Sequence, residues 1–145
     1  MTETLAAVFE RAPGLADAIR LEEEATPRAI ISKTREALER MSERERIAVL
    51  DAHPRIGADP ASLSLLSRRE QGDDSDAATL RELAELNDAY ERKFHFRFVV
   101  FVAGRAKRDI VPILRARLAN TREAELKAGI DEFLAISLDR LERAR

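Results

Sequence analysis

Residues 94–102, FHFRFVVFV, form the most apolar stretch of the chain and place the strongest limit on its fold. Phenylalanine alternates with polar residues over the first half and the second half is entirely apolar, so the stretch taken alone favours a β-strand. No second stretch of comparable quality exists to pair with it, and an unpaired strand is not viable. The pattern therefore predicts a buried, extended apolar segment between helices.

The rest of the chain shows helical periodicity. A stripe of residues at spacings of three and four, which contains Asn87, predicts a helix over about 76–94. Because a buried amide must be hydrogen-bonded, we expect Asn87 to hold a stretch of backbone or to face a site. Further helices are predicted over residues 3–11, 14–24, 27–41, 42–53, 109–119 and 122–143, with a loop over residues 54–66.

Two helix starts carry the capping-box pattern, in which a side-chain oxygen and a Glu carboxylate satisfy free backbone amides at a helix N-terminus. The first runs from Ser42 to Glu45 and the second from Asn120 to Glu123. Together with the periodicity, these patterns predict an all-α fold: a single-domain, compact helical bundle over residues 1–145, with one extended apolar segment near residues 95–102.

Composition excludes several classes of protein. The chain has 25 Lys and Arg against 27 Asp and Glu, whereas a protein that binds nucleic acid or an anionic membrane should be basic. It has no run of about 18 apolar residues and no signal-peptide pattern, so we expect a soluble, cytoplasmic protein. With no cysteine and only two histidines, thiolate chemistry and metal sites built on several imidazoles are excluded.

His53 is the first candidate for chemistry. It stands at a predicted helix end, directly before Pro54, which stops the helix. An imidazole with a pKa of about 6.5 exchanges protons around neutrality. The alternative is a structural histidine that caps the last carbonyls of the helix, and spacing alone leaves both interpretations open.

The pattern Ser67-Arg-Arg-Glu70-Gln71 is the second candidate. Ser-x-x-Glu is again a capping box, but Gly72 and Asp73 interrupt the sequence where a helix would continue. A hydroxyl, a carboxylate and a carboxamide gathered in one turn suit the binding of a small molecule with several amide groups. The pattern fits either a helix cap or a ligand-binding turn.

Arg140 lies at the edge of the inward-facing stripe of the last predicted helix. A guanidinium there could clamp an anion in a cleft, since its planar fork fits a carboxylate bidentately, or it could be a solvated or ion-paired side chain. Arg117 competes for the same role. His95, between two phenylalanines, is more typical of a packed or partly exposed residue than of a catalytic one.

Four motifs in register resemble one known family. Each is weak alone, but in this order they resemble the 2-oxo-4-hydroxy-4-carboxy-5-ureidoimidazoline (OHCU) decarboxylase family of urate degradation. The first third of the chain is similar only loosely, because residues 12–14, Ala-Pro-Gly, stand where the family usually has an aromatic residue. The motifs are HPRIG from His53, SRREQ from Ser67, LNDAYERKF with the following Phe96, Phe98 and Val99, and the pairs Arg117-Leu118 and Arg140-Leu141.

The resemblance implies an all-α carboxy-lyase that needs no cofactor or metal, usually forms a homodimer, and makes (S)-allantoin and carbon dioxide from an anionic ureidoimidazoline. His53 is similar to the catalytic acid/base of the family, and Glu70 and Arg140 also match catalytic positions. His95 replaces a glycine that the family commonly has; if that position needs a positive φ, a histidine there is strained. Positions that match substrate contacts are Pro54, Ser67, Gln71, Phe98, Val99, Val100, Phe101 and Val102.

Loss of carbon dioxide from this substrate leaves an electron pair that the adjacent carbonyl can take as an enolate, so no metal or organic electron sink is required. We hypothesise that His53 transfers the proton and that Glu70 fixes the ureido or ring N–H groups. Backbone amides near residues 98–102 would stabilise the enolate oxygen, and Arg140 would complete the polar pocket.

Two rival hypotheses remain open from the sequence. One is a non-catalytic helical interaction module, for which residues 67–71 are only a helix cap and no small-molecule pocket faces His53. The other keeps the fold but changes the substrate to a related ureido acid.

Overall fold

The computed structural model describes residues 5–12, 14–16, 26–58, 63–71 and 76–144. These ranges contain seven helices and no strand, so the predicted all-α fold is confirmed. The helices are α1 (Leu5–Val8), α2 (Pro27–Arg40), α3 (Glu43–Asp51), α4 (Leu65–Gln71), α5 (Ala77–Phe94), α6 (Lys107–Leu118) and α7 (Arg122–Arg143). Of the helices described, none is long and apolar enough to cross a membrane.

The two predicted capping boxes have different outcomes. At α3 the Ser42 side chain and the Glu45 carboxylate each accept a backbone amide of the other residue, as predicted. At α7 the prediction is wrong by one residue: Thr121 caps the helix by accepting an amide of the first turn. The side-chain amide of Asn120 instead donates to Glu125. The pattern therefore predicted a side-chain cap at this helix start correctly but assigned it to the wrong residue.

Of the helix predicted over residues 3–11, residues 3 and 4 lie outside the described residues, and the described part is helical only in α1, which ends at Val8. Glu10 and Arg11 have φ angles of 53° and 56°, a conformation that ends a right-handed helix and that residues other than glycine seldom adopt. Of the helix predicted over residues 14–24, residues 14–16 form a turn and residues 17–24 lie outside the described residues.

The apolar segment from Arg97 to Val102, called the extended segment below, has neither helix nor strand in the described residues, which agrees with the prediction that it would not pair as a strand. Phenylalanines of this segment and of the end of α5 pack with Tyr90 as one buried aromatic cluster. The Tyr90 ring lies 4.6 Å from that of Phe94, 6.0 Å from that of Phe96 and 5.3 Å from that of Phe98, measured between centroids. This packing fixes the path of the backbone that follows.

α7 is the helix against which α1, α2 and α3 pack, while α5 packs against α6. Gly129 allows α3 to approach α7 closely, because a Cβ at this position would lie only 3.0 Å from Cδ1 of Leu50. The C-terminal end of α3, where the chain continues into His53, is thereby held against the middle of α7.

Asn87 fixes the loop that follows α3, in agreement with the prediction that it would hold backbone. It is completely buried, and its amide donates to the carbonyl of Ile56 at 3.2 Å and to that of Leu83 at 2.9 Å. Arg55 of the same loop pairs with Asp88 and Glu91 on α5, at 2.8 Å in each case. The loop after His53 is therefore anchored to α5 by several polar contacts.

Candidate active site

Every site residue predicted from the sequence lines one small cavity. Its walls come from the chain after α3, from α4, from the extended segment and from α7. The cavity volume is about 30 Å³, which leaves room for little more than a water molecule. The lining residues are His53, Pro54, Ser67, Glu70, Gln71, Phe98, Val99, Val100, Phe101, Val102 and Arg140, together with Ile56 and Ile136, which the sequence analysis did not single out.

His53 presents an imidazole with no partner to this cavity. Its side chain is buried, and its ring packs edge-on against Phe133 with centroids 5.2 Å apart. Neither ring nitrogen has a hydrogen-bond partner within the described residues. The ring forms no hydrogen bond of good geometry with the helix end, although the backbone of Val49 in the last turn of α3 lies close enough to favour a proton on the ring. The helix end is closed by the backbone amides of Ala52 and His53, which donate to carbonyls of the last turn of α3. Buried polar atoms without partners are uncommon and point to a site that a ligand completes.

The electrostatics of the cavity keep His53 neutral. Burial first, and the positive charge of Arg140 second, lower the pKa of His53 to about 4, while the carboxylate of Glu10 opposes this shift. In the free protein at neutral pH the imidazole therefore carries one N–H donor and one acceptor nitrogen. A titratable group in this state, perturbed and facing a cavity, is typical of a functional site.

Ser67 and Glu70 lie within α4, so the interpretation of their pattern as a helix cap is wrong. The cap comes from Ser64, whose hydroxyl oxygen accepts the Ser67 backbone amide at 3.1 Å. The side chains of Ser67 and Glu70 are thus available to the cavity instead of to the helix start. The same geometry removes the main support for a non-catalytic interaction module, because a small pocket does face His53.

Gln71 joins α4 to the loop that carries His53. Its side-chain oxygen accepts the amide of Gly57 at 3.0 Å, and its side-chain nitrogen donates to the carbonyl of Arg55 at 3.1 Å. Gly57 has a φ of 86°, and a Cβ there would lie 3.3 Å from Cδ1 of Leu83, so a glycine suits this turn. Gln71 thereby fixes the position of α4 relative to the imidazole.

Arg140 is almost completely buried and has protein partners on all three of its nitrogens. Nε and Nη2 donate to the two carboxylate oxygens of Glu70 at 2.9 and 2.6 Å, a bidentate pair. Nη1 donates to the carbonyls of Ala7 and Val8 at 3.2 and 3.1 Å, at the end of α1. Burial alone would lower the pKa of Arg140, but the bonds and charges of the neighbouring carboxylates raise it, so the guanidinium stays charged.

Glu10 is a member of this cluster that sequence reasoning missed. Its carboxylate accepts a hydrogen bond from Nη2 of Arg140 at 3.0 Å and others from the hydroxyls of Ser64 and Ser67. Glu10 precedes Arg140 by 130 residues, and no motif links the two. The only indication in the sequence is that a buried arginine on an inward stripe needs counter-charges, which does not say where in the chain they come from.

Arg117, the competing arginine, supports the cavity from behind. Its Nε donates to Glu125 at 2.8 Å, its Nη1 donates to the carbonyl of Val99 at 2.7 Å, and its guanidinium lies 4.6 Å from the ring centroid of Phe98. It does not line the cavity, whereas Arg140 does. The geometry therefore distinguishes the two arginines, which the sequence left open.

Backbone amides of the extended segment are differently occupied. The amide of Phe101 donates to the carboxylate of Glu132 at 3.2 Å. Within the described residues no acceptor meets the amides of Phe98, Val99, Val100 or Val102. These four amides remain as candidates for the predicted contact with a substrate oxygen.

His95 does not line the cavity and is exposed. It caps the C-terminus of α5 with φ 62° and ψ 30°, the left-handed conformation. The position thus has the positive φ that favours glycine. The histidine that replaces the glycine of the family therefore affects the turn between α5 and the extended segment, and does not enter the cavity.

A larger depression of about 480 Å³ adjoins the cavity. The two share Glu70, Phe101 and Arg140, and the outer depression is also lined by Arg69 and Arg143. Its volume lies in the range of small-molecule sites. In the part of the chain that the structure describes, no group of three or more His, Cys, Asp or Glu side chains could hold a metal ion.

Comparison with known proteins agrees with the motifs. The sequence profile described as OHCU decarboxylase matches residues 1–142. The chain belongs to the OHCU decarboxylase family. Among solved structures it is similar to an OHCU decarboxylase crystallised in the presence of (S)-allantoin, with a TM-score of 0.79 and 25% identity over 97% of this chain and 96% of that one.

Curated relatives of this OHCU decarboxylase family member are uric acid degradation bifunctional proteins. That of Bacillus sp. (strain TB-90) is 30% identical over 79% of this chain, and PucL of Bacillus subtilis (strain 168) is 27% identical over 97% of it. The chain covers 23% and 29% of their respective lengths, so it corresponds to one part of them. A crystal structure of (S)-allantoin synthase shares the fold, with a TM-score of 0.73, 21% identity, and coverage of 97% of this chain and 48% of that one.

Proposed function

We propose that this protein converts OHCU to (S)-allantoin and carbon dioxide, without a cofactor, as the last step from urate to allantoin. The observation that carries the proposal is a small cavity in which the neutral imidazole of His53 shares its walls with the Glu70–Arg140 pair. The family membership and the similarity to an OHCU decarboxylase crystallised with (S)-allantoin present support this substrate.

His53 is suited to move one proton in this reaction. An anionic substrate bound beside the ring favours the imidazolium form, so its arrival raises the pKa of His53 from the low value of the free protein. The imidazole can then take the proton of the substrate hydroxyl as carbon dioxide leaves. It returns this proton to one face of the enolate-type intermediate, which sets the S configuration. The departing carbon dioxide leaves the negative charge of the carboxylate behind, so a second proton, taken up from solvent, gives neutral allantoin.

Glu70 and Arg140 have different roles in this proposal. Both carboxylate oxygens of Glu70 accept from Arg140, and each retains a lone pair for an N–H group of the ureido chain or ring. Because the nitrogens of Arg140 already have protein partners, we assign it the orientation of Glu70 and a positive potential near the leaving carboxylate. Direct bidentate capture of the substrate, considered from the sequence, is not part of the proposal.

The substrate needs more space than the inner cavity of about 30 Å³ offers. We infer that it arrives through the outer depression, whose wall already includes Glu70, Phe101 and Arg140. Three arginines, Arg69, Arg140 and Arg143, line that depression against the two carboxylates of Glu70 and Asp139, of which Asp139 pairs with Arg143 at 2.9 Å. The remaining positive charge would favour the approach of an anion. The inner cavity then widens around the ring while the ureido chain extends outward.

The test is turnover of OHCU freshly generated from urate, followed by circular dichroism for enantiopure allantoin. We expect wild-type protein to accelerate its formation and His53→Asn to lose at least about a hundredfold in kcat/KM. The matched control is His95→Asn, which changes the other histidine outside the cavity and keeps a residue that tolerates a positive φ.

A wild-type rate no faster than spontaneous decay would refute the proposed function. Thermal stabilisation by allantoin or by a purine analogue would then indicate a related ureido acid as substrate, whereas no stabilisation would indicate a non-catalytic module. A folded His53→Asn protein with wild-type activity would refute the assignment of the proton transfer alone.

We further propose a single functional domain over residues 1–145, a homodimer, and a cytoplasmic location with no nucleic-acid or membrane partner. The resemblance to the family supports the domain and the dimer, and the formal charge of −2 fits a protein without polyanionic partners. Light scattering after size-exclusion chromatography tests the dimer, and cell fractionation tests the location. A monomer at micromolar concentration would contradict the proposed homodimer.

A further inference from the structure

Glu10 is a buried carboxylate to which the proposed mechanism gives no role. Its side chain is 10% exposed, although it follows a helix of only four residues near one end of the described chain. One of its oxygens, Oε1, accepts from Nη2 of Arg140 at 3.0 Å, from the hydroxyl of Ser64 at 2.6 Å and from the hydroxyl of Ser67. Three donors from two other helical regions therefore converge on a single atom.

The backbone at Glu10 has an unusual conformation, which directs this carboxylate toward Arg140. Glu10 and the next residue, Arg11, both have positive φ angles, 53° and 56°. Consecutive non-glycine residues in this conformation cost free energy and persist only where the surrounding contacts require them. The contacts that require them here are those of the carboxylate and the carbonyls of Ala7 and Val8, which accept from Arg140.

Glu10 also changes the balance of charge beside His53. Arg140 and Arg97 oppose a proton on the imidazole, and Glu10 favours it. Glu70 already gives Arg140 one full counter-charge through its bidentate pair. Arg140 opposes the proton more strongly than Glu10 favours it, so the second carboxylate offsets part of the effect of Arg140 and lowers the cost of the imidazolium that forms during proton transfer.

We propose that Glu10 is a positioning residue of the active site, which holds Arg140 and Ser67 in place and keeps a negative charge within reach of His53. The inference rests on the proposed function of the same site. Glu10 does not line the inner cavity, so it acts through these neighbours and not by contact with the substrate.

The first test measures the imidazole directly and does not depend on activity. The chain has only two histidines, so the ring resonances of His53 can be followed by NMR against those of His95. We expect Glu10→Gln to lower the pKa of His53 by roughly half a unit or more below its wild-type value of about 4. The control is Glu43→Gln, the same change in an exposed carboxylate that pairs with Arg122.

The second test separates positioning from simple stabilisation. We expect Glu10→Gln to lower kcat roughly tenfold or more with little change in KM, because the residue orients catalytic groups without touching substrate. Glu10→Asp keeps the charge but shortens its reach, so it should preserve the pKa of His53 and still lower kcat.

An unchanged pKa of His53 in Glu10→Gln would overturn the electrostatic part of the proposal. Unchanged kcat together with a lower melting temperature would overturn the positioning part and leave Glu10 a purely structural residue. If Glu10→Gln does not fold, a wild-type kcat in Glu10→Asp would likewise overturn the positioning part of the proposal. If the wild-type protein proves inactive on OHCU, the NMR titration still decides whether Glu10 controls the imidazole.

Discussion

Glu125 is a completely buried carboxylate in the first part of α7, and its neutralisation is expected to have a large effect on stability. Oε1 accepts from the Tyr90 hydroxyl at 2.7 Å and from Nε of Arg117 at 2.8 Å, and Oε2 accepts from the Asn120 amide at 2.8 Å. Glu125→Gln keeps the shape but removes the charge that compensates Arg117, and it turns an NH₂ group toward the Asn120 donor. The change therefore breaks a buried ion pair and one hydrogen bond.

The magnitude follows from this geometry. Breaking a buried pair by neutralising one partner costs about 3–5 kcal/mol, and a near-isosteric amide that keeps one acceptor lies at the lower end, at about 3 kcal/mol. For a chain of this length such a loss lowers the melting temperature by roughly 10 °C. The activity should fall as well, because Arg117 holds the carbonyl of Val99 in the wall of the cavity.

Urea denaturation is the appropriate assay, since an unchanged slope with a lower midpoint isolates the loss of stability. Glu123→Gln is the matched control: it also removes a carboxylate from the first turn of α7, but at an exposed position. We expect the control to cost less than about 1 kcal/mol, the contribution of a charge at a helix N-terminus. If the two variants differed by less than about 1 kcal/mol, the description of Glu125 as the counter-charge of Arg117 would be refuted.

Three further predictions concern the site and its surroundings. His95→Gly should raise the free energy of unfolding by up to about 1 kcal/mol, because relief of the left-handed strain exceeds the added freedom of the unfolded chain; a lower melting temperature would contradict this. The pKa of His53 falls from 6.5 to about 4 on folding, so between these pH values the unfolded chain binds more protons than the folded one. The free energy of unfolding should therefore be greatest above pH 6.5 and fall by about 3 kcal/mol as the pH is lowered toward 4. Urea titrations at several pH values should show this loss for wild type and a smaller one for His53→Asn. Arg140→Lys should lose at least about 2 kcal/mol and most activity, because an ammonium cannot form the bidentate pair with Glu70; a wild-type kcat/KM would argue against the assigned role.

The parts of the structure that the sequence could predict depend on local physics. Helix periods, the capping box at Ser42 and the local bond of Asn87 to Leu83 follow from neighbours within one or two turns. That Asn87 holds backbone was predicted from its place in an apolar stripe, whereas its distant partner, Ile56, was not. The error at Asn120 is of the same local kind, because two adjacent residues can both cap a helix and the outcome depends on a distant carboxylate that attracts one of them. The interpretation of Ser67 failed for a related reason, since Ser64 provides a better cap three residues earlier.

The parts that the sequence could not predict depend on contacts between distant residues. Whether Arg117 or Arg140 faces the cavity follows from how α6 and α7 pack, and both residues have the same local pattern. Glu10 carries no motif, and its importance comes only from the approach of α1 to α7. The resemblance to the family rests on several weak motifs that occur in one order along the chain. No single motif, considered with its local neighbours alone, carries it.

The hydrogen bonds from Arg140 to the carbonyls of Ala7 and Val8 have a consequence for the order of events during synthesis. They join residues that are 133 and 132 positions apart, near the two ends of the described chain. When the ribosome has made α1 through α6, it has not yet added Arg140, the residue that makes these hydrogen bonds. Contacts of such long range form late, so a partly made chain holds His53 without the pair that completes its surroundings. The cavity around His53 thus forms only after α7 has been made as far as Arg140, and any chain cut within α7 before Arg140 should fold, if at all, without it.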